Sequence, residues 1–259
     1  MFNTIGIITK PQDITSEKTA RELGAFLKEQ GVLLAEDEKS IKKSADLIIV
    51  VGGDGSILST ARTYVDSNIP ILGINLGRLG FLADVSVESM MTVITDILSG
   101  EYIKEERALL SCQVEREGNI LSQHLAFNEV VVHRNETPRM IEFELFIDGD
   151  FVNKQRADGM IVTTPTGSTA YALSSGGPIM HPSLDAIVLV PMFPHSLNNR
   201  PLVVPGGDEI RVVIGSDTQM KAKVSFDSHL EFQIEPGDSL LIRKKPEQLV
   251  LVHPPGHSF

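Results

Sequence analysis

Leu47-Ile48-Ile49-Val50-Val51-Gly52-Gly53-Asp54-Gly55-Ser56-Ile57-Leu58 is the stretch from which the rest of the chain can be read. Residues 47–51 form a continuous apolar run, as expected of a strand buried on both faces of a parallel sheet. Ile57, Leu58, Ala61, Tyr64 and Val65 then recur at helical spacing, so the glycines carry the chain from strand into helix. A glycine-rich turn in that position suits a phosphate: the backbone can approach closely, and N–H groups at a helix N-terminus point at the anion. Asp54 does not fit a pure anion cradle, because a carboxylate repels a triphosphate. Two roles suit it, general base for an attacking hydroxyl or contact to a metal. A plain turn is the third reading, since Gly and Asp dominate turns.

Working outward, residues 1–100 alternate strand and helix patterns, which predicts an α/β domain. Residues 4–9 and 71–74 read as short strands. Ala20, Leu23, Phe26 and Leu27 mark a helix over 16–29. Val87, Met90, Met91, Ile94, Ile97 and Leu98 mark a second helix, ended by Gly100. After residue 100 the period changes. Ile141, Phe143, Leu145 and Ile147 alternate strictly, and Asp148-Gly149 follows as a turn. Residues 161–164, 187–190, 210–214, 223–226, 239–243 and 249–253 also read as strands. The expectation is a mainly β, sandwich-like domain over 101–259.

The bulk properties bound the function. The chain has 259 residues, 42% hydrophobic and 22% charged, an ordinary globular composition. No apolar stretch is long enough to span a bilayer, and residues 1–10 lack the order of a signal peptide. The single Cys112 cannot form an internal disulfide, as a cytoplasmic protein predicts. In such a chain the acceptor pattern Asn135-Glu136-Thr137 carries no meaning. The net charge of −11 argues against nucleic acid or a membrane surface as partner. There is no G-x-x-x-x-G-K-[ST] sequence, and Gly73, Gly77 and Gly80 do not make a G-x-G-x-x-G fingerprint. The histidines are scattered without metal-ligand spacing and read as ordinary residues.

A second cluster follows Ala157-Asp158-Gly159. Residues 165–178 run Pro-Thr-Gly-Ser-Thr-Ala-Tyr and on to Ser-Ser-Gly-Gly-Pro, small hydroxyl residues and glycines with little apolar content. This run reads as loop rather than core, suited to a polar, hydroxyl-rich ligand, with Tyr171 placed to stack on a base. Asn128-Glu129 interrupts the apolar segment 125–132 and needs partners if buried; a strand edge with exposed polar side chains is the other reading.

Taken together, these motifs resemble those of the bacterial NAD kinase family, over essentially the whole chain. The matching stretches are Val51-Gly52-Gly53-Asp54-Gly55, Gly73-Ile74-Asn75, Leu79-Gly80-Phe81-Leu82, Phe127-Asn128-Glu129-Val130-Val131 and the run from Asp158-Gly159 to Pro178. Pro191-Met192-Phe193-Pro194-His195 resembles the proteobacterial branch. The resemblance implies an N-terminal α/β domain, a β-rich C-terminal domain and a site between them. It implies ATP as donor, NAD as acceptor, a divalent metal (Mg2+ or Mn2+) and a homodimer or homotetramer. Asp54 would act on the 2′-hydroxyl of the adenosine ribose of NAD, with Gly52, Gly53 and Gly55 at the ATP phosphates. Asn128 and Glu129 would hydrogen-bond the dinucleotide. Thr169, Ala170, Tyr171, Ala172, Leu173 and Ser174 would line the adenine and ribose pocket. Arg156 and Asp158 would sit near the nicotinamide half, and Arg139 would reach a phosphate. His229 falls where members often carry Gln. Members continue past the His-Pro pair seen here as His253-Pro254, so the resemblance implies a shortened C-terminus.

Two rivals stand beside this reading. A lipid or sugar kinase shares a similar glycine-Asp loop, but the polar run 163–175 argues against an apolar substrate groove. A non-catalytic NAD(H) sensor would keep residues 169–174 and have no need of Asp54.

Overall fold

A computed structural model describes residues 2–77, 80–135, 139–196, 198–215 and 222–257. Of the positions read above, Leu79, Glu136, Thr137 and Phe259 lie outside these residues. The chain forms two compact units, Met1–Arg107 with Glu247–Phe259, and Ala108–Pro246.

The first unit carries strands β1 (Thr4–Thr9), β2 (Leu33–Ala35), β3 (Leu47–Gly52), β4 (Ile71–Asn75), β5 (Val85–Ser86) and β6 (Ile103–Arg107). Its helices are α1 (Ile14–Glu29), α2 (Glu38–Ser44), α3 (Asp54–Tyr64) and α4 (Met90–Ser99). Strands β2, β1, β3 and β4 pair in parallel in that order, with β5 parallel to β4. Burial explains the continuous apolar run of β3. Ile49 and Val51 join Leu72, Ile74, Leu23 and Leu27 of α1, and Ile94 and Ile97 of α4 in one core cluster. On the opposite face, a Cβ on Gly73 would lie 2.5 Å from Ile57 of α3, and one on Gly6 would lie 2.7 Å from Ile41 of α2. Helices therefore cover both faces, so every residue of β3 is apolar or glycine.

The second unit is antiparallel throughout its pairings. One sheet has the order β11 (Asp150–Ala157), β10 (Ile141–Ile147), β15 (Ile210–Ile214), β18 (Ser239–Lys244), β7 (Leu110–Arg116), β8 (Asn119–Ala126). The other has β14 (Leu202–Pro205), β13 (Ala186–Met192), β12 (Gly159–Thr163), β9 (Glu129–Arg134), β16 (Ala222–Phe226), β17 (Leu230–Ile234). Val130, Val132, Met160, Val162, Ile187 and Leu189 of the second sheet share a core with Cys112, Phe143, Leu145, Val212 and Ile242 of the first. That is a sandwich, in which alternate residues of each strand face the partner sheet. The Asp148-Gly149 turn joins β10 to β11 with φ of 50° and 85°, two left-handed residues whose twist matches the flanking strands.

Two expectations need correction. The β-rich domain does not run from 101 to 259. Residues 103–107 form β6, and β19 (Leu249–His253) pairs antiparallel with β6 and parallel with β4. Its apolar residues Leu249, Leu251 and Val252 complete the first sheet. The run 165–178 is not wholly loop either. Strands β9, β12 and β13 turn Val131, Ile161, Val188 and Val190 away from the sandwich core, and the short helix α5 (Tyr171–Ser174) covers them with Ala172. Gly167 and Ser168 are buried as well. Small residues serve here because they let the segment lie close on a sheet that is apolar on both faces.

Candidate active site

At the end of β3, Gly53 caps α3 with no side-chain hydrogen bond, and its carbonyl accepts from the Ser56 N–H at 2.9 Å. The helix begins at Asp54 rather than after the glycine loop. The Asp54 carboxylate is directed at the segment that follows β4. Oδ2 accepts from the N–H of Phe81 at 3.0 Å, and Oδ1 accepts from those of Leu82 and Ala83, each at 3.2 Å. The segment is held in turn by Asn75, whose amide donates to the Ala83 carbonyl at 3.3 Å and whose Oδ1 accepts from Gly77. Gly80 is required by this close approach, since a Cβ there would lie 2.2 Å from Asp54 Oδ1. A carboxylate offers about four acceptor positions. Among the described residues three are taken, one on Oδ2 and two on Oδ1, and the side chain is half-buried.

The second unit repeats the device. Asp227, 3% exposed and left-handed at φ 48°, accepts from the N–H groups of Phe127, Asn128 and Glu129 at 3.0, 2.7 and 3.2 Å. On the other side, the Thr163 hydroxyl and the Thr164 N–H both donate to the Asn128 carbonyl at 2.9 Å. Gly167 passes so close that a Cβ would lie 2.4 Å from that oxygen. The 127–129 backbone is thus fixed from two sides. Glu129 is 3% exposed, which removes the exposed-edge reading for it, and among the described residues its Oε2 has no hydrogen-bond partner. Burial, then the Asp227 charge, pushes its carboxyl up to about 8.

Beside this lies a cavity of about 610 Å³ lined in part by His133, Arg134, Asp158, Tyr171, Ser225 and Ser228. Asp158 Oδ1 is 3.2 Å from Arg134 Nε, so the acid is charge-paired at the cavity wall. Tyr171 is 43% exposed, with its ring available to a planar ligand. Ser174 lines a second cavity of about 600 Å³ with Phe193 and Arg200. Thr169 and Ala170 are half-buried, Leu173 is exposed, and the side chain of Ala172 faces the core while its carbonyl accepts from the N–H groups of Ser175 and Gly177. Arg139, Arg156 and His229 are exposed, and neither cavity takes its lining from them. Sequence reasoning missed Arg134, His133, Ser225 and Ser228. The one local signal was Ser225, a small polar residue between Val224 and Phe226 where an apolar one would extend the strand.

The histidines are not all ordinary. His253 and His257 stack with ring centroids 3.8 Å apart and converge on Asp84, a grouping that the chain spacing hides.

Comparison with known proteins matches both units. A model described as the ATP-NAD kinase N-terminal domain covers residues 34–102, and one described as the ATP-NAD kinase C-terminal domain covers 127–254. The NAD kinase of Teredinibacter turnerae is 46% identical, over 100% of this chain and 94% of that protein. That of Marinobacter nauticus is 47% identical, over 100% and 93%. Yeast NADH kinase complexed with NADH superposes with a TM-score of 0.89 at 27% identity, covering 98% of this chain and 84% of that one. An NAD kinase from Archaeoglobus fulgidus in complex with ATP gives 0.79 at 28%, covering 97% and 94%. With relatives at 46–47% identity matched over the whole chain, and both units matched by the family's domain models, the chain belongs to the ATP-NAD kinase family.

Proposed function

We propose that the chain transfers the terminal phosphoryl group of ATP to the 2′-hydroxyl of the adenosine ribose of NAD, and that Asp54 accepts the hydroxyl proton. The observation that carries the role of Asp54 is the acceptor position left on Oδ2. A carboxylate anchored by three N–H groups is fixed in direction, and one free lone pair is enough to take one hydroxyl proton. The reaction asks for alignment and charge stabilisation more than covalent help. The uncapped first turn of α3, with Gly53 and Gly55 exposed, suits the ATP phosphates. In the second unit, Asn128, Glu129, Tyr171 and Asp158 hold the dinucleotide; Thr169, Ala170, Leu173 and Ser174 contribute backbone or surface contacts. Arg139 and Arg156 are exposed cations suited to its phosphates. His229 is the weakest member of the set. The solved relatives bound to NADH and to ATP support both ligands.

A divalent cation fits as a passenger of the triphosphate rather than as an ion caged by protein. Asp54 has at most one acceptor position to offer it, and magnesium is commonly held by one or two carboxylates together with substrate phosphates. When bound, it neutralises charge on the phosphates. Self-association is part of the proposal. All four edge strands of the sandwich expose apolar side chains: Ile120 and Leu121, Phe151 and Val152, Leu202 and Val203, and Leu230. Exposed apolar edges are surfaces that proteins cover. A cytoplasmic location accords with the single, buried Cys112. Among the described residues, no helix is long and apolar enough to cross a membrane.

The test is to incubate the pure protein with ATP, magnesium and NAD and assay for NADP. Formation of NADP that stops with excess EDTA and returns with magnesium or manganese supports the reading. NAD binding without turnover would leave a sensor, and phosphorylation of a lipid or sugar instead would leave the rival kinase.

A further inference from the structure

The Asp54 carboxylate is aimed by the N–H groups of residues 81–83, and these residues lie outside any strand. Where they sit depends on what holds the ends of their segment. On one side β4 holds it. The Asn75 amide donates to the Ala83 carbonyl, and a Cβ on Gly73 would lie 3.0 Å from the Ala83 Cα. The next residue, Asp84, is held by a distant part of the same unit. Its Oδ2 accepts from His253 Nδ1 at 2.9 Å and lies 2.8 Å from His257 Nδ1. His253 ends β19, and His257 lies just beyond it.

His253 is itself firmly seated. It is 1% exposed, and the His257 ring stacks on it, 13° from parallel with centroids 3.8 Å apart. An ionised carboxylate only accepts, so Nδ1 carries the proton of the bond to Asp84. On the far side of the ring, Nε2 faces Glu105 Oε2 at 3.3 Å, and Arg107 donates to that oxygen at 2.6 Å. Glu105 and Arg107 lie on β6, which pairs with β19 along its length, from Ile103 opposite His253 to Arg107 opposite Leu249. In so dry a site a hydrogen bond is stronger than in water, and breaking it leaves a buried group unpaired. By contrast β5, which follows Asp84, has two residues and gives the segment only a short ladder on β4.

We infer that Asp84 and His253 are positioning residues for the phosphoryl transfer. By tying the segment 81–84 to the end of β19, they fix the three N–H groups that direct the Asp54 carboxylate. They act through Asp54, and the inference rests on the reading of Asp54 as the group that accepts the hydroxyl proton. It gives the return of β19 to the first sheet a use in the reaction.

The test compares variants of the full chain by steady-state kinetics. Asp84→Ala removes the acceptor shared by both rings and should lower kcat by about 10²-fold, the cost of a misplacement of about 1 Å. The Michaelis constants for ATP and NAD should change far less. Asp84→Asn keeps an oxygen where Oδ2 stands and should recover most of that loss. In the Asp54→Asn background, Asp84→Ala should lower kcat little further, since no base is left to aim. Should Asp84→Ala not fold, Asp84→Ser, whose hydroxyl is too short to reach the rings, is read the same way. Wild-type kcat in the folded variant, or the same fold-loss in both backgrounds, would overturn the inference and leave the cluster as a hydrogen-bonded staple. An Asp54→Asn single variant that keeps its kcat would overturn the reading of Asp54 and this inference with it, an outcome visible without any change at Asp84.

Discussion

Asp54 and Asp227 do the same local thing in different units. Each gathers three consecutive backbone N–H groups, residues 81–83 in one case and 127–129 in the other. The difference is access. Asp54 is half-buried at the start of α3, whereas Asp227 is 3% exposed at the turn between β16 and β17. A buried carboxylate surrounded by N–H donors holds a loop in shape. The same group half-buried at a helix start is also within reach of a ligand. Hydrogen-bond geometry alone therefore does not separate the two acids, and solvent access does.

The comparison breaks most visibly at Asp54. Asp54→Asn should lower kcat by about 10²- to 10⁴-fold, the contribution typical of a general base. The amide keeps the shape but cannot take a proton at neutral pH, so NAD affinity, measured by isothermal titration, should change far less. If kcat survives and only affinity falls, Asp54 is another Asp227, and the base must be sought elsewhere.

Gly80→Ala should come next. Its Cβ displaces the Asp54 carboxylate without touching its chemistry. A shift of about 1 Å at a reacting group costs on the order of 10²-fold in rate. Steady-state kinetics should show that loss in kcat with a normal circular dichroism spectrum. Wild-type kcat would mean that the direction of the carboxylate is unimportant.

Asp227→Asn should act on stability and binding instead. It leaves at least one buried N–H with a poorer partner, at about 1–3 kcal/mol, read as a lower midpoint in urea. The Michaelis constant for NAD should rise with kcat nearly kept, because the 127–129 backbone loosens. A loss of kcat as large as that of Asp54→Asn would erase the distinction between the two acids.

The last contrast is one of pH and concerns Glu129, the neighbour whose charge Asp227 opposes. Its carboxyl is raised from 4.5 to about 8, so between those values the folded protein keeps a proton that the unfolded chain releases. Its contribution is therefore full below pH 4.5 and is lost as pH climbs to about 8. Glu129→Gln lacks that loss. Its Tm relative to wild type should grow across that window and level off above it. A constant difference from pH 5 to 9 would show that Glu129 is ionised throughout.

Much of this was legible in local pattern. The apolar run of β3, the alternation of β10 and the Asp148-Gly149 turn each state their own structure, because a strand buried on both faces, a half-buried strand and a tight hairpin have different residue requirements. The motifs around Asp54, Asn128 and residues 158–178 likewise carry the resemblance to the family in the sequence itself. The return of β19 to the first sheet was not legible, since an apolar pentapeptide reads equally well in either unit. Nor was the burial of residues 165–178, because small polar residues look alike in a loop and against a sheet.

The sequence by itself determined which residues carry charge, which segments prefer strand or helix, and that a carboxylate sits in a glycine turn. Only the tertiary structure decided what each acid faces. Asp54 meets its donors 27 to 29 positions away, Asp227 meets them 98 to 100 away, and Asp84 meets His253 across 169. Periodicity describes neighbours along the chain, within a turn of helix or a pleat of strand. Side chains brought together by separate strands leave no trace in it, and the electrostatics of a site is made of those meetings.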